Sequence, residues 1–213
     1  MLLPSILKEN FLSSDEVDFI ENFINQHHNT YDDFVESTLH SYYYTWPYYN
    51  KDYKTVREIF DSKIKNLFDI NLIVDHSHIL DSKKPYTVHT DFYQNRSFSA
   101  LSPAYTFIIP LADYNSNTIV FEQYSELKDF TEYLTTTNAS KVSDPLSTEF
   151  VDKYISHFPK EVLPYLSLKE VVNWKKGSLH ACDRRYFHSS DNYVKNNLTG
   201  KKAFIFWTST PKT

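Results

Sequence analysis

The chain has 213 residues, a formal net charge of −5 and a single cysteine, Cys182. The acidic balance argues against a nucleic-acid backbone as the main ligand and against an anionic membrane surface. One thiol cannot form an internal disulfide, and no charged segment followed by a long apolar run opens the sequence, so we expect a cytoplasmic protein without a membrane span. Gly177 and Gly200 are too few for a dinucleotide loop and too far apart for a phosphate-binding loop.

Two helices are predicted near the N-terminus. Ser13 and Glu16 have the spacing of a capping box, and Leu12 and Val17 have the spacing of a hydrophobic staple, so a helix is expected to begin there. Apolar residues at helical spacing over 55–68 predict the second helix.

A tyrosine-rich segment, residues 42–53, lies between these helices. Its rings suit either a stacking platform for bases or an extended segment packed on the core. No cationic track accompanies the tyrosines, which favours packing on the core.

From residue 71 onward the pattern changes to short β-branched and aromatic runs separated by turn residues. Strands are predicted at 72–74, 86–89, 105–109, 118–121, 171–174, 178–182 and 203–207. Residues 125–169 interrupt them with helical periodicity. We therefore predict a mainly β, α+β fold forming one domain over 1–213, with N-terminal helices in 1–70 and a jelly roll (double-stranded β-helix) in 71–213.

The first candidate site residues are His89 and Asp91. On a strand, side chains two residues apart lie on one face, so both can reach one ion while Thr90 points away. A His-x-acid pair by itself carries little weight, because about one is expected by chance in a chain of this composition. Two imidazoles and one carboxylate do, however, form the ligand set of non-haem iron(II) oxygenases.

The residues that follow repeat a larger pattern. Tyr105 to Leu111 is a strand that ends in Pro-Leu, Trp174 to Gly177 is a W-x-x-G turn, His188 is a distal histidine, and a Gly-x-Lys strand from Gly200 ends in Trp207. In order and spacing, residues 86–209 resemble the iron(II)- and 2-oxoglutarate-dependent dioxygenases, of the prolyl-hydroxylase-like and phytanoyl-hydroxylase-like kinds.

The resemblance implies iron(II) held by His89, Asp91 and His188. It further implies that Lys202, at the Gly-x-Lys position, pairs with the far carboxylate of 2-oxoglutarate. By strand alternation Lys201 is then expected on the opposite face. Tyr105 or Thr106 is expected to add a hydroxyl to the co-substrate.

The same resemblance implies an activity: oxidation by dioxygen with release of succinate and CO2, usually hydroxylation, on a small molecule or a peptidyl side chain. Two departures from the pattern stand out. His188 and Lys202 are 14 positions apart, which predicts a longer loop than usual, and the 125–169 segment is a large insertion.

Two other classes of protein compete with this interpretation. His76 and His78 form an H-x-H pair that suits a cupin-like metalloenzyme without 2-oxoglutarate. A jelly-roll binding or structural protein that is no longer catalytic is the other. His180 is expected to be a packed or solvated histidine, and Cys182 is expected to be an inert buried thiol rather than a nucleophile.

The substrate side is least defined by the sequence. Arg96, Arg184 and Arg185 suit an anionic substrate, but solvated surface charge is the favoured interpretation for each. Segments 42–53, 93–103 and 125–169 are candidate lid elements.

Overall fold

The structure is a computed structural model that describes residues 2–27, 34–36, 41–46, 48–92 and 101–211. The α-helices are α1 (Ser14–His27), α2 (Lys54–Leu67), α3 (Phe130–Thr137) and α4 (Thr148–Tyr154). The strands are β1 (Ile6–Lys8), β2 (Phe34–Glu36), β3 (Ser41–Thr45), β4 (Ile73–Ser82), β5 (Leu101–Pro110), β6 (Asn117–Tyr124), β7 (Leu168–Asn173), β8 (Leu179–Asp183), β9 (Tyr186–Ser190) and β10 (Lys201–Pro211). In the part of the chain described, no helix is both long and apolar enough to cross a membrane.

The strands form two antiparallel sheets in a mixed α+β fold. The larger sheet has the order β1-β8-β5-β10-β4-β3-β2, and the smaller has the order β7-β6-β9. The long strand β10 pairs with β5 on one side and β4 on the other, so it is a central strand. Most of its consecutive side chains are buried, so both of its faces are covered.

Both N-terminal helices form where the sequence predicts them. The Ser13 amide donates to the Glu16 carboxylate and the Glu16 amide donates to the Ser13 hydroxyl, which confirms the capping box. Leu12 and Val17 are buried, as the predicted staple requires.

The main apolar core lies between these helices and one face of the larger sheet. Phe60 of α2 packs edge-on against Phe206 of β10, with ring centroids 4.6 Å apart. From the described part of the tyrosine-rich segment, Trp46, Tyr48 and Tyr53 are buried in the same core. Packing on the core, the favoured interpretation of that segment, is confirmed for these three rings.

The insertion between β6 and β7 contains α3 and α4, as its helical periodicity predicts. It packs on the smaller sheet, where Phe130 meets Phe187 edge-on at 4.7 Å between ring centroids. A second apolar cluster therefore lies on this side of the molecule.

Two strand predictions are corrected by the structure. β4 runs to Ser82 instead of ending at Val74, because its polar stretch lies against other polar groups: the Ser77 hydroxyl, for example, donates to the Trp46 carbonyl. The predicted strand at 86–89 is reduced to two isolated bridges at His89, one with His188 and one with Asp129. Gly177 is a turn residue as expected, with φ +69°.

Candidate metal centre

Three side chains converge between the two sheets. The ligand atoms of His89, Asp91 and His188 all lie within 4.8 Å of one another. His89 Nε2 is 3.9 Å from Asp91 Oδ1, and His188 Nε2 is 3.3 Å from Asp91 Oδ2. The structure thus brings together the three residues that the sequence pattern singles out.

A pair of backbone hydrogen bonds holds the two histidines side by side. The His89 amide donates to the His188 carbonyl at 3.0 Å, and the His188 amide donates to the His89 carbonyl at 2.8 Å. The rings therefore emerge together, 4.5 Å apart between centroids. Thr90 faces away as predicted, since its hydroxyl donates to the Leu127 carbonyl.

The hydrogen bonds of the two rings fix which nitrogens face Asp91. His89 Nδ1 lies 2.8 Å from the Thr87 carbonyl, and His188 Nδ1 lies 3.1 Å from the Tyr186 carbonyl. A carbonyl can only accept, so each Nδ1 donates and each Nε2 is left to face the carboxylate. Metal-binding histidines are commonly oriented in this way by a backbone carbonyl.

The three side chains shift one another's pKa values. Burial and the neighbouring His188 lower the pKa of His89 to about 4. Burial would raise the pKa of Asp91, but His188, His89 and Thr106 hold it well below its usual range. Burial also opposes a charge on His188, but Asp91 outweighs it and raises the pKa of His188.

Thr106 acts on the carboxylate directly. Its hydroxyl donates to Asp91 Oδ2 at 2.7 Å, and its side chain lines the cavity around the three residues. This hydroxyl was expected to bind the co-substrate, and in the structure its partner is Asp91.

The three residues open into a cavity of about 550 Å³, a volume that includes the open solvent at its mouth. Apolar and aromatic side chains form much of its wall. Besides the three residues it is lined by His78, Leu80, Tyr86, Thr106, Ile108, Thr118, Trp174, Ser189, Ser190, Lys201, Ile205 and Trp207.

The cavity contains one buried lysine, Lys201, which is 2 % exposed. Its Nζ donates to the Ser116 hydroxyl at 2.8 Å and lies 3.7 Å from the ring centroid of Trp174. Among the residues described, no carboxylate lies within 4.0 Å of this nitrogen; Asp191 is reached only through Ser116, whose hydroxyl donates to it. Burial accordingly lowers the pKa of Lys201 to about 7.

Lys202 lies on the other face of β10. The sequence argument expected Lys202 at the candidate site and Lys201 on the opposite face, and the structure shows the reverse orientation. Its side chain is 40 % exposed, and Nζ is 3.8 Å from Glu21 and 4.0 Å from Asp81. Lys202 does not line the cavity.

Tyr105 is also misplaced by the sequence argument. Its ring packs in the main core against Phe68, at 5.1 Å between centroids, while Thr106, the next residue on β5, faces the cavity. The Tyr105 hydroxyl therefore does not reach the candidate site.

The H-x-H pair lies beside the cavity but outside the ligand group. His78 lines the wall, and burial together with His76 lowers its pKa to about 3. Both rings lie against Trp207, at centroid distances of 5.0 and 5.7 Å. Within the described residues, the only set of three or more ligand-type side chains close enough to share an ion is His89, Asp91 and His188.

Two of the remaining candidates are buried as expected. Cys182 is buried and burial raises its pKa, and His180 is buried beside Glu170. The two arginines differ from the solvated surface charges that were predicted: Arg184 is 6 % exposed, and the Arg185 side chain is 19 % exposed and pairs with the buried Asp183. Arg96 lies outside the residues that the structure describes.

Comparison with known proteins finds solved structures with a similar fold but no similar sequence. No protein-family model and no curated protein sequence matches the chain. Among solved structures, the non-heme alpha-ketoglutarate-dependent epimerase SnoN of nogalamycin biosynthesis matches with a TM-score of 0.60 at 10 % identity, over 97 % of this chain and 78 % of its own.

Two further enzymes match over similar lengths. The non-heme alpha-ketoglutarate-dependent carbocyclase SnoK of nogalamycin biosynthesis has a TM-score of 0.60 at 14 % identity, over 97 % of this chain and 80 % of its own. HygX from Streptomyces hygroscopicus, with nickel and 2-oxoglutarate bound, has a TM-score of 0.55 at 11 % identity, over 98 % of this chain and 82 % of its own. The protein shares the fold of these enzymes.

Proposed function

We propose that this protein is an iron(II)- and 2-oxoglutarate-dependent oxygenase with a double-stranded β-helix core. The observation that carries the proposal is the group of two imidazoles and one carboxylate in a cavity that also holds a buried lysine. The shared fold supports it, because the similar structures include enzymes that depend on alpha-ketoglutarate.

The residues present fit an iron(II) ion. His89, Asp91 and His188 supply the 2-His-1-carboxylate set, and the Nδ1 hydrogen bonds of both rings leave each Nε2 available as a ligand. Thr106 donates to one oxygen of Asp91 and so orients the carboxylate. When bound, iron(II) with 2-oxoglutarate and dioxygen would supply oxidation of an unactivated C–H bond, with release of succinate and CO2.

Lys201, rather than Lys202, is the residue that we assign to the far carboxylate of 2-oxoglutarate. It is the lysine that lines the cavity, and its nitrogen has no carboxylate partner of its own among the described residues. A bound carboxylate would compensate the buried ammonium, which burial otherwise disfavours. Lysine acts here as a point charge, without the two-pronged geometry of arginine.

The apolar wall has a separate role. Ile108, Ile205 and Trp174 pack together beside Lys201 and keep water away from that end of the cavity. Exclusion of water strengthens the attraction between the lysine and an anionic ligand.

We propose hydroxylation of a small molecule as the outcome, with a peptidyl side chain as the other substrate class. SnoN in complex with nogalamycin RO and HygX in complex with hygromycin B, both proteins of the same fold, hold small molecules. Mass spectrometry of the products would decide the outcome, because hydroxylation adds one oxygen atom and epimerisation leaves the mass unchanged.

The proposal is tested by anaerobic titration of the metal-free protein with iron(II) and 2-oxoglutarate, following the visible charge-transfer absorption of the chelate. We expect a saturable band that is lost in His89→Ala, strongly weakened in Lys201→Met and retained in Lys202→Met, the matched control on the opposite face of the strand.

The two rival classes give different results. Metal binding that survives His89→Ala, without the band, would point to the cupin-like site at His76 and His78. Failure of both iron(II) and 2-oxoglutarate to bind would overturn the enzyme proposal and favour a binding or structural protein.

A further inference from the structure

Asp91 lies outside any strand, so the sheet ladder does not hold it. Its backbone is held instead by Arg184, which forms hydrogen bonds with both the amide and the carbonyl of Asp91. The Asp91 amide donates to the Arg184 carbonyl at 3.1 Å, while Arg184 Nε and Nη2 donate to the Asp91 carbonyl at 3.2 and 3.1 Å. The segment that carries the carboxylate is thus fastened to the turn before β9, the strand that carries His188.

The guanidinium is itself fixed by a buried ion pair. Arg184 Nη1 lies 2.7 Å from Asp75 Oδ2, and the two side chains are only 7 % and 9 % exposed. The same Nη1 donates to the Thr208 carbonyl at 3.2 Å, and the Ser209 hydroxyl donates to Asp75. A charge pair buried to this extent is costly unless its hydrogen bonds are satisfied, and here each partner has several.

These contacts occur where β10 is irregular. The register of β10 shifts after Trp207 against both of its neighbours, β4 and β5. At that point the Thr208 side chain, rather than its backbone, bonds to Tyr105. The irregularity places the Thr208 carbonyl within reach of Arg184, so that the guanidinium joins β4, β10 and the Asp91 segment.

We propose that Arg184, held by Asp75, is a positioning residue that sets the place of the Asp91 carboxylate in the metal centre. The inference rests on the proposed function, since it concerns the same three ligands. The hydrogen bonds from Arg184 to Asp91 go to the Asp91 backbone, so we expect Arg184 to act through that residue. Loss of such a supporting contact commonly costs a factor of about 10 to 100 in metal affinity.

The test uses Co(II) alone as the probe, titrated into the metal-free protein and followed by its visible d–d absorption. Arg184→Lys keeps the charge opposite Asp75 but cannot reach two backbone carbonyls with a planar fork. The matched control is Arg185→Lys, because Arg185 lies in the same turn and its side chain pairs with the buried Asp183. The double variant Asp75→Asn/Arg184→Gln removes both charges together and carries the test if Arg184→Lys does not fold.

We expect the dissociation constant for Co(II) to rise at least about tenfold in the Arg184 variants and to change less than about twofold in Arg185→Lys. The d–d spectrum of Arg184→Lys should also change shape, which a loss of stability alone would not cause. A folded Arg184→Lys with wild-type Co(II) affinity and spectrum would overturn the positioning role while leaving the proposed function intact. Absence of Co(II) binding by the wild-type protein would instead overturn the proposed metal centre, and this inference with it.

Discussion

Replacing Lys201 with methionine should stabilise the metal-free protein against unfolding. It should also remove the additional stabilisation that 2-oxoglutarate gives to the metal-bound protein. Burial lowers the pKa of this lysine from 10.5 to about 7. The native state therefore binds fewer protons than the unfolded state between those pH values, and stability rises with pH across that window. At pH 7 the shift corresponds to a cost of about 4 kcal/mol.

A neutral amine can also donate to the Ser116 hydroxyl, and methionine loses that hydrogen bond at a cost of about 1 kcal/mol. Methionine otherwise fills a similar volume without a charge. We therefore expect the free energy of unfolding of Lys201→Met at pH 7 to rise by about 3 kcal/mol.

The assay is urea unfolding of both proteins at pH 7, first without metal to measure the difference in stability, and then in Mn(II) with and without 2-oxoglutarate to measure the effect of the co-substrate. At a concentration a hundredfold above its dissociation constant, the co-substrate should stabilise the wild type by about 2.7 kcal/mol and leave Lys201→Met unchanged. Lys202→Met, altered at an exposed neighbour, should match the wild type within about 0.5 kcal/mol and keep the response. A Lys201→Met protein that is less stable than wild type and still responds to 2-oxoglutarate would refute the assignment.

Three further predictions follow from the same structure. The affinity for 2-oxoglutarate should fall about tenfold per pH unit above pH 7, because Lys201 of the free site loses its proton there. Isothermal titration calorimetry across pH 6.5–8.5 in Mn(II) measures this affinity, and an affinity that does not change with pH would contradict the prediction. Thr106→Val should weaken Co(II) binding by about tenfold, since Asp91 loses its orienting hydroxyl, and Thr106→Ser should restore it; equal affinities in both variants would argue against that role. Gly177→Ala should lower the free energy of unfolding by at least about 2 kcal/mol, because φ is +69° and a Cβ would overlap the Leu12 carbonyl; an unchanged urea midpoint would count against it.

The candidate metal centre was accessible to sequence reasoning because two of its three residues are neighbours and the family resemblance supplied the third. His89 and Asp91 lie two residues apart, and His188 lies in the β-rich C-terminal part of the chain. The pairing of His89 with His188 requires only one bridge between two segments, so the convergence survives even though the predicted strand at 86–89 does not form.

The sequence argument placed Lys202 on the cavity face of β10, which the structure does not, because β10 is covered on both faces. Phe204 and Phe206 point to the helices, while Ala203 and Ile205 point to the cavity, so both sets of alternate residues are apolar. Hydrophobic alternation identifies which face is buried only when the other face is polar. A count from Gly200 alone could therefore not decide between the two lysines.

Arg184 escaped prediction for a different reason. Its partner, Asp75, is 109 residues away in sequence, and neither residue belongs to a recognisable motif. A charged residue in a loop is exposed in most proteins, so burial becomes visible only when the distant carboxylate is brought beside it.

The insertion between β6 and β7 has a consequence for engineering. The Thr90 amide and hydroxyl donate to the carbonyls of Lys128 and Leu127, and Asp129 forms a bridge with His89, so the base of the insertion braces the ligand segment. Shortening the exposed stretch at 138–147 should therefore leave His89, Asp91 and His188 in place, whereas excising the insertion from residue 125 would remove the contacts that brace His89 and Thr90. Redesign of this protein for new substrates should trim the outer turn and keep the stem.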